Sequence, residues 1–126
     1  MRGIVAEEPE AQRWLDAVAQ GTVTAVVPDH VYVEVANALR GYVRSGWLDP
    51  STADERLAAA LDLPLTIVPT RVLAREALAL AVTRGISAYD GLYLALALGF
   101  DATLVTADRR LAAAAVGTRV ELLPPV

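Results

Sequence analysis

Three acidic residues stand out by type and position: Glu34, Asp90 and Asp108. Asp90 and Asp108 both fall in the stretch from Gly85 to Leu111, which is otherwise largely apolar. On a helical wheel Asp90 falls between Leu94 and Ala97, on an apolar face. A charge there is costly to bury unless something pairs with it. With no Cys and a single His, the chain offers mainly hard oxygen donors, which suit Mg2+ or Mn2+ and not Zn2+. Clustered acids repel one another, and a divalent ion relieves that repulsion. Such an ion can position a water, lower its pKa and stabilise a pentacovalent phosphate.

Phosphodiester hydrolysis therefore fits the acids, and acyl transfer does not. There is no Gly-x-Ser-x-Gly elbow; Gly85-Ile-Ser87-Ala-Tyr lacks the second glycine. The absence of Cys excludes a disulfide framework, a thiolate metal site and a cysteine nucleophile. All eleven basic residues are Arg, so there is no P-loop or Schiff-base lysine. The net charge of −4 argues against binding nucleic acid over the whole surface and leaves room only for a local Arg patch. His30, in the first turn of a helix, is expected to face solvent.

Each acid also has a plainer reading. Ser87-Ala-Tyr-Asp90 resembles a capping box, and Asp90 suits the helix dipole. Asp108 is a good N-cap. Glu34 borders an apolar arc between Ala38 and Asn37, as many surface residues do.

The elements that must position these acids can be read in order. Glu7 to Gln20 predicts a helix with Pro9 in its first turn and Gly21 after its end. Thr22 to Val27 predicts a strand, closed by Pro28. Asp29 caps the next predicted helix, which runs to about Ser45. Asp49-Pro50 starts a helix to Asp62, and Leu65 to Val68 is a second strand. Thr70 caps a helix to Arg84, ended by Gly85, and Ser87 caps another to about Leu98. Ala102 to Thr106 is a third strand, Asp108 caps a short helix to Ala115, and Arg119 to Leu123 is the last strand.

This alternation implies one α/β domain over residues 1–126 with a mostly parallel sheet, long enough to bury roughly two-thirds of its unfolded surface. In such sheets ligands sit outside the carboxyl ends of the strands. Asp108 follows the third strand, Asp90 starts the helix that returns to it, and Glu34 lies on the helix leaving the first. All three acids are expected at that one edge. The longest uncharged apolar run, Gly91 to Phe100, is too short to span a bilayer, and Glu7 and Glu8 interrupt any secretory core. A cytoplasmic location is expected.

Glu34-Val-Ala-Asn-Ala-Leu-Arg40, Ser87-Ala-Tyr-Asp-Gly-Leu-Tyr-Leu-Ala95 and Leu104-Val-Thr-Ala-Asp-Arg-Arg-Leu111 together resemble the PIN-domain nucleases. The resemblance is nearest to the toxin ribonucleases of VapBC toxin–antitoxin modules, and it covers almost the whole chain in order. It implies a three-layer α/β/α sandwich and an RNA-cleaving activity that uses Mg2+ or Mn2+. Glu34, Asp90 and Asp108 would be the metal-site acids, Ser87 and Thr106 supporting hydroxyls, and Asn37 a further support. Arg40, Arg44, Arg109 and Arg110 are candidates for phosphate contact, against the alternative of a solvated face. A small antitoxin protein and a second copy of the chain are the implied partners.

The departure is at the start. PIN domains open with a short apolar strand, central in the sheet, that ends in a metal-binding Asp. This sequence matches the family just after that strand, so the domain is expected to be N-terminally incomplete, with a gap between the strands at Thr22–Val27 and Ala102–Thr106. Ile4-Val5 could lend a stub of strand but no acid, and Asp29 could partly stand in for the ligand or act as a cap. Two other readings stay open. One is a non-catalytic PIN-like interaction protein that binds an antitoxin or itself; the other is an unrelated α/β domain whose acids are all caps.

Overall fold

The computed structural model describes residues 9–124. Ile4-Val5 lies outside them. Six helices and four strands alternate: α1 (Pro9–Ala19), β1 (Val26–Pro28), α2 (Val31–Arg44), α3 (Pro50–Leu61), β2 (Thr66–Val68), α4 (Thr70–Arg84), α5 (Ala88–Gly99), β3 (Leu104–Thr106), α6 (Arg109–Ala114) and β4 (Val120–Leu122). No helix among the described residues is long and apolar enough to cross a membrane.

Local chemistry explains most boundaries. Asp49 accepts a hydrogen bond from the Thr52 amide at 2.7 Å, which caps α3, and Pro50 needs no partner for a missing N–H. Gly85 ends α4 in the left-handed region, at φ 67°. The first strand is shorter and later than expected. Thr22 is drawn back onto α1, its amide and hydroxyl both donating to Ala17 O at 3.0 Å. The strand then runs on through Pro28. Pro28 shares an alternation with Val26, turned away from β2, so the ladder loses nothing by its missing N–H.

Asp29 does not cap α2. Position His30 begins that helix without a side-chain cap, and Asp29 Oδ1 accepts the Thr70 amide of α4 at 3.1 Å. Thr70 is the first residue of α4, behind Pro69 at the cap. The aspartate thus performs its capping chemistry for a helix 41 residues away.

The strands form two parallel pairs, β1 with β2 and β3 with β4. Successive strand residues face opposite sides. Val27 packs with Val31, Val35 and Leu39 of α2 and Ala60 of α3. Val26 packs with Leu73 and Ala77 of α4 and Leu92, Ala95 and Leu96 of α5. Helices therefore cover both faces, as an α/β sandwich requires. α5 joins the two strand pairs, because its other side, through Leu94 and Ala97, packs on Leu104 of β3 and Leu111 of α6. A helix buried on both sides must be apolar nearly all round, which accounts for the run from Gly91 to Ala97.

A cavity of about 460 Å3 lies where β1 and β3 face each other, lined by residues 23–27 and 102–105, by Trp14, Leu15 and Val18 of α1, and by Tyr93, Leu96 and Ala97 of α5. Ladder bonds turn Ala25 and Asp29 toward β2 and Leu104 and Thr106 toward β4. The alternation leaves the peptide groups of Val26 and Val105 turned toward the cavity. The buried indole Nε1 of Trp14, in the same lining, has no hydrogen-bond partner among the described residues.

Candidate functional site

The three acids arrive from three separate elements. Glu34 is in the first turn of α2, Asp90 in the first turn of α5, and Asp108 is the N-cap of α6, two residues beyond β3. Parallel strand order puts each at a carboxyl edge, and Asp90 feels the charges of the other two. Burial raises the Asp90 carboxyl above the usual carboxylate range, the Asp108 charge raises it further, and Glu34 adds in the same direction.

The supporting hydroxyls act on the backbone. Ser87 Oγ accepts the amide of Asp90 at 3.1 Å, and Thr106 Oγ1 accepts the amide of Asp108 at 3.0 Å. Each hydroxyl fixes the main chain of the acid that follows it. Asp108 also performs its plainer role, with Oδ1 accepting from Arg110 N at 2.9 Å and Leu111 N at 3.2 Å. Ser87→Ala should therefore cost about 1 kcal/mol in urea denaturation, and Ser87→Gly only a few tenths. Equal losses would show that the hydroxyl does something other than cap. Asn37, Arg40, Arg44, Arg109 and Arg110 are all exposed.

His30 does not face solvent. Its side chain is 20% exposed, and its ring sits between Tyr89 and Tyr93, at 5.8 Å from each ring centre. Nε2 lies 2.9 Å from Glu34 Oε1, one helical turn on, off the line of a hydrogen bond. Tyr93 Oη donates to the same Oε1. Burial, that hydrogen bond and the charges of Glu34 and Asp90 push the Tyr93 phenol far above its usual pKa, so it remains a neutral donor. Neither residue was expected at the site. The signals were present in spacing alone, since His30 and Glu34 are four apart, and Asp90 and Tyr93 three apart, on one helix face.

With the fold and acids in place, the comparisons with known proteins are specific. A family model described as PIN domain matches residues 2–117. The chain belongs to the PIN domain family. This is a nuclease-type family, generally dependent on divalent metal. A crystal structure of PAE2754 from Pyrobaculum aerophilum shares the fold, with a TM-score of 0.70 and 24% sequence identity over 94% of this chain and 83% of that one. No curated protein matches the sequence.

The donor chemistry of this PIN domain suits a hard cation: three carboxylates, one of them raised by burial first and then by the charge of the others. Their spacing is open. Among the described residues no three His, Cys, Asp or Glu side chains stand close enough together to hold a metal ion. The acids are neighbours across an edge and not a closed cage.

Proposed function

We propose that this PIN domain is a metal-dependent endoribonuclease of the toxin type, working through Glu34, Asp90 and Asp108. The observation that supports the reading is the placement of these acids at helix starts beyond the carboxyl ends of β1 and β3, with Asp90 partly buried near the other two. Three elements far apart in sequence bring them into range, and Asp90 is held at an electrostatic cost that a cation would relieve. Glu34, Asp90 and Asp108 would hold Mg2+ or Mn2+, which supplies charge neutralisation and an activated water when bound. The chain's own groups orient the acids: Ser87 and Thr106 through the main chain, Tyr93 through Glu34. Exposed Arg40, Arg44, Arg109 and Arg110 would take RNA phosphates, and a small antitoxin and a second copy are the partners this reading implies. A fluorophore–quencher RNA should be cleaved with Mn2+ and not with EDTA. Failure to cleave with Mn2+, by a chain that binds the ion, would remove the ribonuclease assignment.

A second reading is an interaction protein that keeps the fold without the chemistry. The cavity between β1 and β3 supports it, together with the open spacing of the acids. The alternation turns the peptide groups of Val26 and Val105 toward that cavity, and the indole N–H of Trp14 in its lining is unpaired among the described residues, which suits a surface that takes up a further segment. Mn2+ titration separates the two readings: micromolar binding by the isolated chain favours the nuclease, and none favours the interaction protein.

A further inference from the structure

We propose that Tyr93 is a positioning residue for Glu34, with His30 as the wedge that aims it; this rests on the reading of Glu34 as a site acid. Three observations converge. Tyr93 lies one turn beyond Asp90 on α5 and reaches across to α2, 59 residues away in sequence, to donate to Glu34 Oε1. Its hydroxyl therefore spans the edge on which both acids sit, and the charges of both register on it. His30 stands against the same oxygen, with Nε2 at 2.9 Å and its ring beside both Tyr93 and Tyr89.

The physical effect is on carboxylate geometry. A glutamate has three side-chain torsions and a broad terminal rotation, so the direction of its carboxylate depends on the partners that hold it. A phenol that bonds one oxygen restricts that direction without cancelling the charge, and the His30 ring stands against the same oxygen. Ligands seated in this way by outer partners typically lose ten- to a hundredfold in metal affinity when the partner is removed.

The test is Tyr93→Phe in the full 126-residue chain, which keeps the ring and its packing and removes only the hydroxyl. Mn2+ affinity, read by electron paramagnetic resonance, should fall roughly tenfold. The carboxyl 13C resonance of Glu34, assigned with Glu34→Gln, should move in the absence of any metal. The thermal midpoint should change little. His30→Gln should move the same resonance in a chain that keeps the tyrosine. An unmoved Glu34 resonance in Tyr93→Phe overturns the proposal, and so does Mn2+ affinity that is unchanged or tighter. An unmoved resonance in His30→Gln removes His30 from it. If the native chain binds no Mn2+, the metal reading fails by itself, and the resonance still decides the positioning role.

Discussion

Gly91→Ala should destabilise the protein by about 3 kcal/mol, where the same change in an ordinary helix stabilises it. Gly91 is buried in the first half of α5, against α4. A Cβ built there would lie 2.5 Å from the carbonyl oxygen of Ala77 and 3.2 Å from its Cα and carbonyl carbon. These are backbone atoms of a helix interior, and Ala77 is 1% exposed, so no side chain can swing aside. Relief requires α4 and α5 to separate along their contact, which empties the packing of Leu73, Leu92 and Ala95. Folded domains have about 5–15 kcal/mol in total, so much of the stability would go. Asp90 precedes Gly91 directly, so the shift would also displace the acid. Gly41 provides the control. It is in the last turn of α2 with nothing within 4 Å of its virtual Cβ, and Gly41→Ala should raise stability by up to about 1 kcal/mol. Urea denaturation of both variants measures the contrast. A Gly91→Ala protein as stable as the parent would mean that α4 and α5 are not locked at that point.

Asp90→Asn should make the metal-free protein more stable at pH 7 and abolish cleavage. The carboxyl is raised by burial first and by Asp108 second, so the native state binds the proton more tightly than the unfolded chain does. Stability therefore falls as pH rises from the ordinary aspartate value, about 3.9, through the raised one. Above that window the charged form carries its full cost, and the amide removes it. The melting midpoint of Asp90→Asn should exceed that of the native chain by a few degrees at pH 7, and the difference should vanish well below pH 4. Mn2+ should raise the midpoint of the native chain and not that of the variant. On the proposed function, cleavage should fall at least roughly a hundredfold, since a metal site supplies several kcal/mol of charge stabilisation. A variant that is less stable at neutral pH would show that Asp90 is held by favourable partners and is not strained. One that cleaves normally would remove Asp90 from the site.

The two substitutions lie side by side and act in opposite directions, which separates packing from electrostatics along one turn of α5. The helix that carries that turn packs on both strand pairs through its apolar faces, and its acid meets the charges of two others.

Much of this arrangement was legible in the residues. Strand-then-helix alternation put Glu34, Asp90 and Asp108 at helix starts, and Ser87, Asp49 and Asp108 cap the helices they precede. Those features depend on hydrogen bonds that span two or three residues, so side-chain type and spacing suffice to specify them. Gly85 is of the same kind, because only its own φ is at stake. The short edges of strands were less legible. Thr22 has strand-forming chemistry but found a closer partner in the end of α1.

What only the tertiary structure decided is which distant groups meet. Asp29 has the chemistry of a cap, and the chain gives no sign that it serves Thr70 of α4 and not its own helix. His30 sits beside two tyrosines that lie on another helix, so a lone polar residue in a first turn is buried. The demand for glycine at position 91 comes wholly from the carbonyl of Ala77 on α4. The separation of the four strands into two pairs rests on long-range contacts too. Local bonds and the strand-then-helix order made the helix starts of Glu34, Asp90 and Asp108 and their caps readable from residue type and spacing. The burial of Asp90 near the other charges, and the tyrosine bonded to Glu34, came only with packing, because such contacts join residues that no periodicity relates.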